Sequence, residues 1–154
     1  MKKKTSKSGT CKCLVLFSGG LNSLLAYNTM EEQEASPLAI IFTTPFFTGK
    51  KAENSAEVNG LNYKKIDITA DYIEKVLKKP KRGYGKNLNP CIDCHLFMIT
   101  RASEIMKDEG YDFIATGEVL NQRPMSQNRN SLNYIKKESG IEYLILRPLS
   151  ALNL

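Results

Sequence analysis

Eleven residues near the N-terminus, Cys13-Leu14-Val15-Leu16-Phe17-Ser18-Gly19-Gly20-Leu21-Asn22-Ser23, constrain this chain more than any other stretch. An apolar run of strand length gives way to Ser-Gly-Gly and then at once to residues of helical character. That order predicts a buried strand, a tight turn and a helix N-terminus. A helix start presents unpaired N–H groups and the positive end of the helix dipole, so it collects anions. Glycines there adopt dihedrals closed to other residues, and a phosphate can approach the backbone with no Cβ in the way. Ser18 and Ser23 add hydroxyl donors. No lysine stands in the turn, which excludes the G-x-x-x-x-G-K-[ST] loop of the common NTPases.

Beyond this stretch, Leu24, Leu25, Tyr27 and Met30 predict a loosely amphipathic helix that fades near Glu34 and stops before Pro37. Leu38-Ala39-Ile40-Ile41-Phe42 is a continuous apolar run, as expected of a parallel strand covered on both faces. A loop from Thr43 to Gly49 follows, whose Phe46-Phe47 pair suits either cover for an adenine or local packing, with packing preferred. Lys50 to Asn59 reads as a polar helix, Tyr63 to Ile68 as a strand, and Asp71 to Lys79 as a helix ended by Pro80. Ile92, Leu96, Ile99, Ala102 and Met106 share one face of a helix opened by Asn89-Pro90 and capped by Gly110. Phe113 to Thr116 and Leu144 to Leu146 are short strands. Between them lie a polar loop from Gly117 to Gln127 and a helix capped by Ser126 or Asn128. Strands alternating with helices predict an α/β fold with a parallel sheet. The chain stops at Leu154, soon after a strand and before any helix to cover it, and is therefore read as cut short at its C-terminus.

A length of 154 residues suits one domain with a core. No apolar run approaches the ~20 residues of a membrane span. Met1 to Thr10 lacks the apolar segment of a secretory signal, so a cytoplasmic location is expected. The net charge is +6, and Lys2, Lys3, Lys4 and Lys7 carry much of it. Residues 1–12 are read as a basic flexible tail and 13–154 as the folded domain. Lys78, Lys79, Lys81, Arg82 and Lys86 cluster around Gly83 and Gly85, which suits either phosphate-backbone contacts or a solvated linker.

Asn89-Pro90-Cys91-Ile92-Asp93-Cys94-His95 is the second chemical stretch. Two thiols lie three positions apart at a helix start, where the dipole favours thiolate. Three roles fit them: a nucleophile or sulfur carrier, half of a metal or iron–sulfur site with His95 as a further ligand, or packing. A closed zinc site wants four ligands, and no second C-x-x-C is present. Cys13, inside the first strand, is assigned to packing.

Ser18-Gly19-Gly20-Leu21-Asn22-Ser23 resembles the S-G-G-x-D-S signature, or PP-loop, of the ATP-pyrophosphatase superfamily, with Asn22 at the aspartate position. The resemblance implies a three-layer Rossmann-like fold of the adenine nucleotide alpha hydrolase type, with ATP and Mg2+ as cofactors. It also implies that Ser18, Gly19, Gly20, Asn22 and Ser23 hold the phosphates. The strand ends at Phe42-Thr43 and Thr116-Gly117 would line the nucleotide crevice. Asn22 keeps the shape of the aspartate and loses its charge. Asn89-Pro90-x-x-x-Cys94 is similar to the N-P-x-x-x-C motif of tRNA 2-thiouridylases, which implies sulfur transfer at Cys94. The partner thiol expected of such a pair would be Cys91 or one beyond Leu154, or Cys91 and Cys94 would both ligate an iron–sulfur cluster. Phe113-Ile114-Ala115-Thr116-Gly117-Glu118 is similar to the motif [YF]-[IL]-A-T-G-H, with Glu118 in place of histidine, and Gln122 matches a glutamine that follows it.

Together the motifs resemble a group related to the tRNA 4-thiouridine and 2-thiouridine synthases. The implied activity is adenylation of a uridine carbonyl with release of pyrophosphate, then sulfur transfer. The implied partners are tRNA and a sulfur donor protein or sulfide. Two rivals stand beside this reading. One is a PP-loop nucleotide-binding module without turnover, which Asn22 favours. The other is a PP-loop synthetase acting on a small molecule, which the paired thiols oppose.

Overall fold

The computed structural model describes residues 10–84 and 90–152. Most of the basic tail, Gly85 and Lys86 of the basic loop, Asn89 of the predicted helix start and the final Leu154 lie outside the described residues. Strand β1 spans Lys12–Leu16 and pairs in parallel with β2 (Ser36–Thr43) on one side and β4 (Phe113–Thr116) on the other. Strand β3 (Tyr63–Asp67) pairs with β2, and β5 (Ile145–Leu146) with β4. The sheet order is therefore β3-β2-β1-β4-β5, parallel throughout. β1 begins at Lys12, within the predicted tail, because the Lys12 N–H reaches the Asp112 carboxylate at 2.7 Å and the Cys11 carbonyl accepts from the Ser36 N–H at 2.8 Å.

Successive strand residues point to opposite faces, and this sheet is apolar on both. Leu14, Ile40, Phe42 and Ile114 share a core with Tyr72, Val76, Leu96, Ile99 and Ile135. These come from helices α3 (Thr69–Tyr72, continuing through a π-helical turn Ile73–Leu77), α4 (Cys91–Glu109) and α5 (Arg129–Glu138). Cys13, Val15, Ala39, Ile41 and Ala115 form the other core with Ala26, Tyr27, Met30, Ala52 and Ala56. Those helical residues lie on α1 (Leu21–Glu32) and α2 (Lys50–Val58). The result is the expected three-layer α/β sandwich.

Several elements differ from their sequence reading. Leu25, expected inward, is 43% exposed, because the buried stripe of α1 runs through Ser23, Ala26, Tyr27 and Met30. The helix expected from Asp71 starts at Thr69, where the Asp67 carboxylate accepts the Thr69 N–H at 2.8 Å. Its last turn widens to π geometry, with Lys78 N–H reaching the Ile73 carbonyl at 3.0 Å. Asn128, rather than Ser126, caps α5, its side chain accepting the Ser131 N–H at 2.9 Å. Part of the basic loop is tied down: Arg82 donates its backbone N–H to the buried Asp93 carboxylate at 2.8 Å, and its guanidinium lies 4.8 Å from the Tyr134 ring centre.

From β1 the chain moves to β2 and β3 on one side, and β4 and β5 fill the other. The order thus reverses between β1 and β4, and in open α/β sheets the crevice at the C-terminal ends of two such strands is where ligands bind.

Candidate active site

The turn after β1 delivers an open helix N-terminus to that crevice. Gly20 is the N-cap of α1 and no side chain caps it. The first-turn N–H groups are therefore left for a ligand. The Ser23 hydroxyl donates to the Gly20 carbonyl at 2.9 Å, and the Ser18 and Ser23 hydroxyls lie 3.4 Å apart. Two glycines are sterically required. Gly19 has φ +74°, and a Cβ there would sit 2.5 Å from Ala52 Cα in the first turn of α2. A Cβ on Gly117, just past β4, would sit 2.7 Å from the backbone of Asn22 and Ser23. The turn is wedged between α2 and the exit of β4.

The cleft above it measures about 510 Å³. Ser18, Asn22, Ser23, Thr116 and Gly117 contribute its polar lining beside the turn. Leu16, Ile40, Phe42, Phe47 and Met98 make an apolar wall, and Lys50, Lys51 and Arg123 bring positive charge. Cys94 and His95 line it from α4. Of the residues singled out by sequence, Ser18, Asn22, Ser23, Phe42, Phe47, Cys94, His95, Thr116, Gly117 and Glu118 meet here. Gly19, Gly20, Thr43 and Cys91 are not in the lining. Thr43 turns toward β3, its hydroxyl 3.5 Å from the Ile66 carbonyl, and the wall continues instead through Phe47 and Thr48. Phe47 also packs edge-on against Tyr72 at 5.3 Å, whereas Phe46 is 66% exposed.

The expected acidification of the thiols by the helix start does not hold at Cys94. Burial pushes the Cys94 thiol above its ordinary value, a hydrogen bond from Tyr72 opposes this, and nearby Cys91 adds to the rise. Lost hydration outweighs what the Tyr72 hydrogen bond returns. Cys13 is pushed up to about 12, chiefly by burial, as suits a packed thiol. Cys13 also pairs with Phe113 at the far end of the sheet from the cleft, so it cannot join Cys91 and Cys94. Among the described residues no three His, Cys, Asp or Glu side chains gather to hold a metal ion. Among the described residues, then, nothing joins Cys91 and Cys94 as a further cluster ligand.

Sequence reasoning missed the network behind Cys94. Glu118 is only 6% exposed and Arg147 only 5%. Glu118 Oε1 lies 3.0 Å from His95 Nδ1, while its Oε2 accepts from Arg147 Nε at 2.8 Å and from the Thr116 hydroxyl at 3.0 Å. Burial alone would raise the pKa of Glu118. The hydrogen bond from His95 and the charge of Arg147 overcome that and hold it down at about 2. The available signal was positional: Glu118 and Arg147 each follow a short apolar strand, and exits of neighbouring parallel strands converge. Gln122, noted only as a motif match, accepts a hydrogen bond from the Asn22 side-chain amide.

A parallel sheet with a Ser-Gly-Gly turn at its switch point, opening on a cleft of this size, is the architecture of a PP-loop protein. The chain belongs to the family described as thiamine biosynthesis protein (ThiI), whose model matches residues 8–153. It is 26% identical over 147 residues to the tRNA-specific 2-thiouridylase MnmA of Petrotoga mobilis, covering 82% of this chain and 40% of that protein. Among solved structures it resembles a 4-thiouridine synthetase in complex with RNA and bound ATP, with a TM-score of 0.70 and 22% identity, covering 90% of this chain and 36% of that one. It also resembles a predicted subunit of tRNA methyltransferase from Methanocaldococcus jannaschii, with a TM-score of 0.64 and 22% identity, covering 90% of this chain and 68% of the other. The chain spans about 40% of the length of the curated relatives it matches. These findings agree with the PP-loop tRNA sulfurtransferase group that the motifs resemble. Among the described residues no helix is long and apolar enough to cross a membrane.

Proposed function

We propose that this chain is the ATP-binding domain of a tRNA-modifying sulfurtransferase acting in the cytoplasm. One observation carries the reading: a thiol, Cys94, and an uncapped helix N-terminus share one cleft. The relatives support it, since one bears the name of a tRNA 2-thiouridylase and one fold neighbour is a 4-thiouridine synthetase–RNA complex with bound ATP.

In this reading ATP lies with its phosphates on the backbone and hydroxyls of Ser18 to Ser23 and its base against Phe42 and Phe47. A uridine carbonyl oxygen attacks the α-phosphate. The bond to the β-phosphate breaks, and pyrophosphate leaves with its charge held by the amides at the start of α1. The adenylated carbon is then open to the outer sulfur of a Cys94 persulfide, handed over from a persulfide of the donor protein, whose own sulfur leaves as a thiol. AMP departs from that carbon. A second thiol, Cys91 in this reading, attacks Cys94 Sγ, breaks the S–S bond to leave sulfur on the base, and forms a disulfide that an external thiol reduces. Where sulfide is the source, it attacks the adenylated carbon directly and displaces AMP, with no sulfur carried on Cys94. Tyr72 donates to the Cys94 sulfur and steadies its negative form. Glu118 Oε1 contacts His95 Nδ1 and so fixes the imidazole on the same cleft as Cys94.

Cys94→Ser is expected to bind ATP as the parent does and to lose thiolation by ~10³-fold or more, the scale on which a covalent nucleophile matters. Mass spectrometry of nucleosides from treated tRNA measures the second quantity and nucleotide titration the first. Thiolation undiminished in Cys94→Ser would remove the thiol from the chemistry. Asn22 favours a second reading, a nucleotide-binding module without turnover, for which ATP binds but tRNA elicits no pyrophosphate release.

A further inference from the structure

The resemblance brings Mg2+ with ATP, but the donor set of this cleft does not fit that ion. Mg2+ demands oxygen ligands in octahedral geometry and is usually anchored by one or two carboxylates besides the phosphates. Among the described residues Glu118 is the one carboxylate in the cleft lining, and both its oxygens are engaged, one by His95 and the other by Arg147 and Thr116. Position 22 offers a neutral amide in place of the aspartate of the signature, and that amide donates to Gln122.

Positive charge is arranged instead. Lys50 and Lys51 open α2, Arg123 lies in the loop after β4, and all three are exposed and line the cleft. None of them forms an ion pair among the described residues. The start of α1 adds the positive end of its dipole. A polyanion entering the cleft meets its counter-charge there. A divalent cation meets three like charges and no free carboxylate.

We infer that the cleft takes the free triphosphate rather than its divalent-metal complex, with Lys50, Lys51 and Arg123 supplying the counter-charge; the inference rests on reading the cleft as the ATP site. Calorimetric titration of the full chain with ATP, once in excess EDTA and once in excess Mg2+, tests it. Binding in EDTA as tight as in Mg2+, or tighter, is expected. Lys50→Gln combined with Lys51→Gln should weaken the EDTA titration by roughly tenfold or more, while the exposed positions leave the thermal melt in place. Asn22→Asp should make binding depend on Mg2+. Wild-type binding confined to the Mg2+ titration overturns the inference and leaves the ATP site standing, as does an EDTA titration indifferent to loss of both lysines. No binding in either titration, by protein shown to be folded, overturns the ATP reading and the inference together.

Discussion

Gly19→Ala is expected to lose ATP binding by at least about a hundredfold and to be less stable by about 2–5 kcal/mol, the combined cost of a left-handed alanine and of overpacking. Gly19 has φ +74°, and the added Cβ would meet Ala52 Cα at 2.5 Å and Ala52 N at 2.8 Å. These are backbone atoms at the start of α2, so no side chain can swing aside. Either the turn or the helix must move, and each movement displaces the amides that would face the phosphates. Gly20→Ala is the control. Its φ is −87°, and an added Cβ there meets only the Ser18 hydroxyl at 3.6 Å. It should fold with nearly parental stability. Urea denaturation and nucleotide titration on both variants decide the matter, and a Gly19→Ala protein that binds ATP normally would show that the turn does not cradle the phosphates.

The other large effect is expected at Glu118. Glu118→Ala leaves the Arg147 charge buried and unpaired, which typically costs about 3–5 kcal/mol. Glu118→Gln keeps the shape and should cost less. The pH dependence follows from the same ion pair. The carboxyl is held at about 2 in the folded chain against an ordinary value of 4.5, so its contribution is fully present above about 4.5 and is lost as pH falls from there towards 2. Wild type should therefore lose its stability advantage over Glu118→Gln across that window. Melting temperatures of both proteins measured at steps from about pH 6 to pH 2.5 test this; parallel curves would mean that Glu118 is not ionised against Arg147.

The strand–turn–helix at Cys13 to Ser23 was legible because local signals agree there: a continuous apolar run, then glycines, then a helix start. The helical face of α4 was legible for the same reason, since Leu96, Ile99, Ala102 and Met106 repeat at its period and are buried. At Thr43 the sequence places the strand end but not the side chain, which faces β3, because that direction depends on strand pairing. The thiol acidity was misjudged because proximity to a helix start is visible in sequence and burial is not. The Glu118–Arg147 pair was invisible in order along the chain: 29 positions and a whole helix separate residues that the adjacency of β4 and β5 brings together.

The tight seat of Gly117 on the backbone of Asn22 and Ser23 has a mechanical consequence. Gly117 directly precedes Glu118, so the amides at the start of α1 and the carboxylate that orients His95 are separated by one peptide unit and a van der Waals contact. A ligand that pushed the first turn of α1 towards Gly117 would press on the exit of β4. If that turn is the seat of the phosphates, its occupancy and the aim of the imidazole would be linked through this backbone contact.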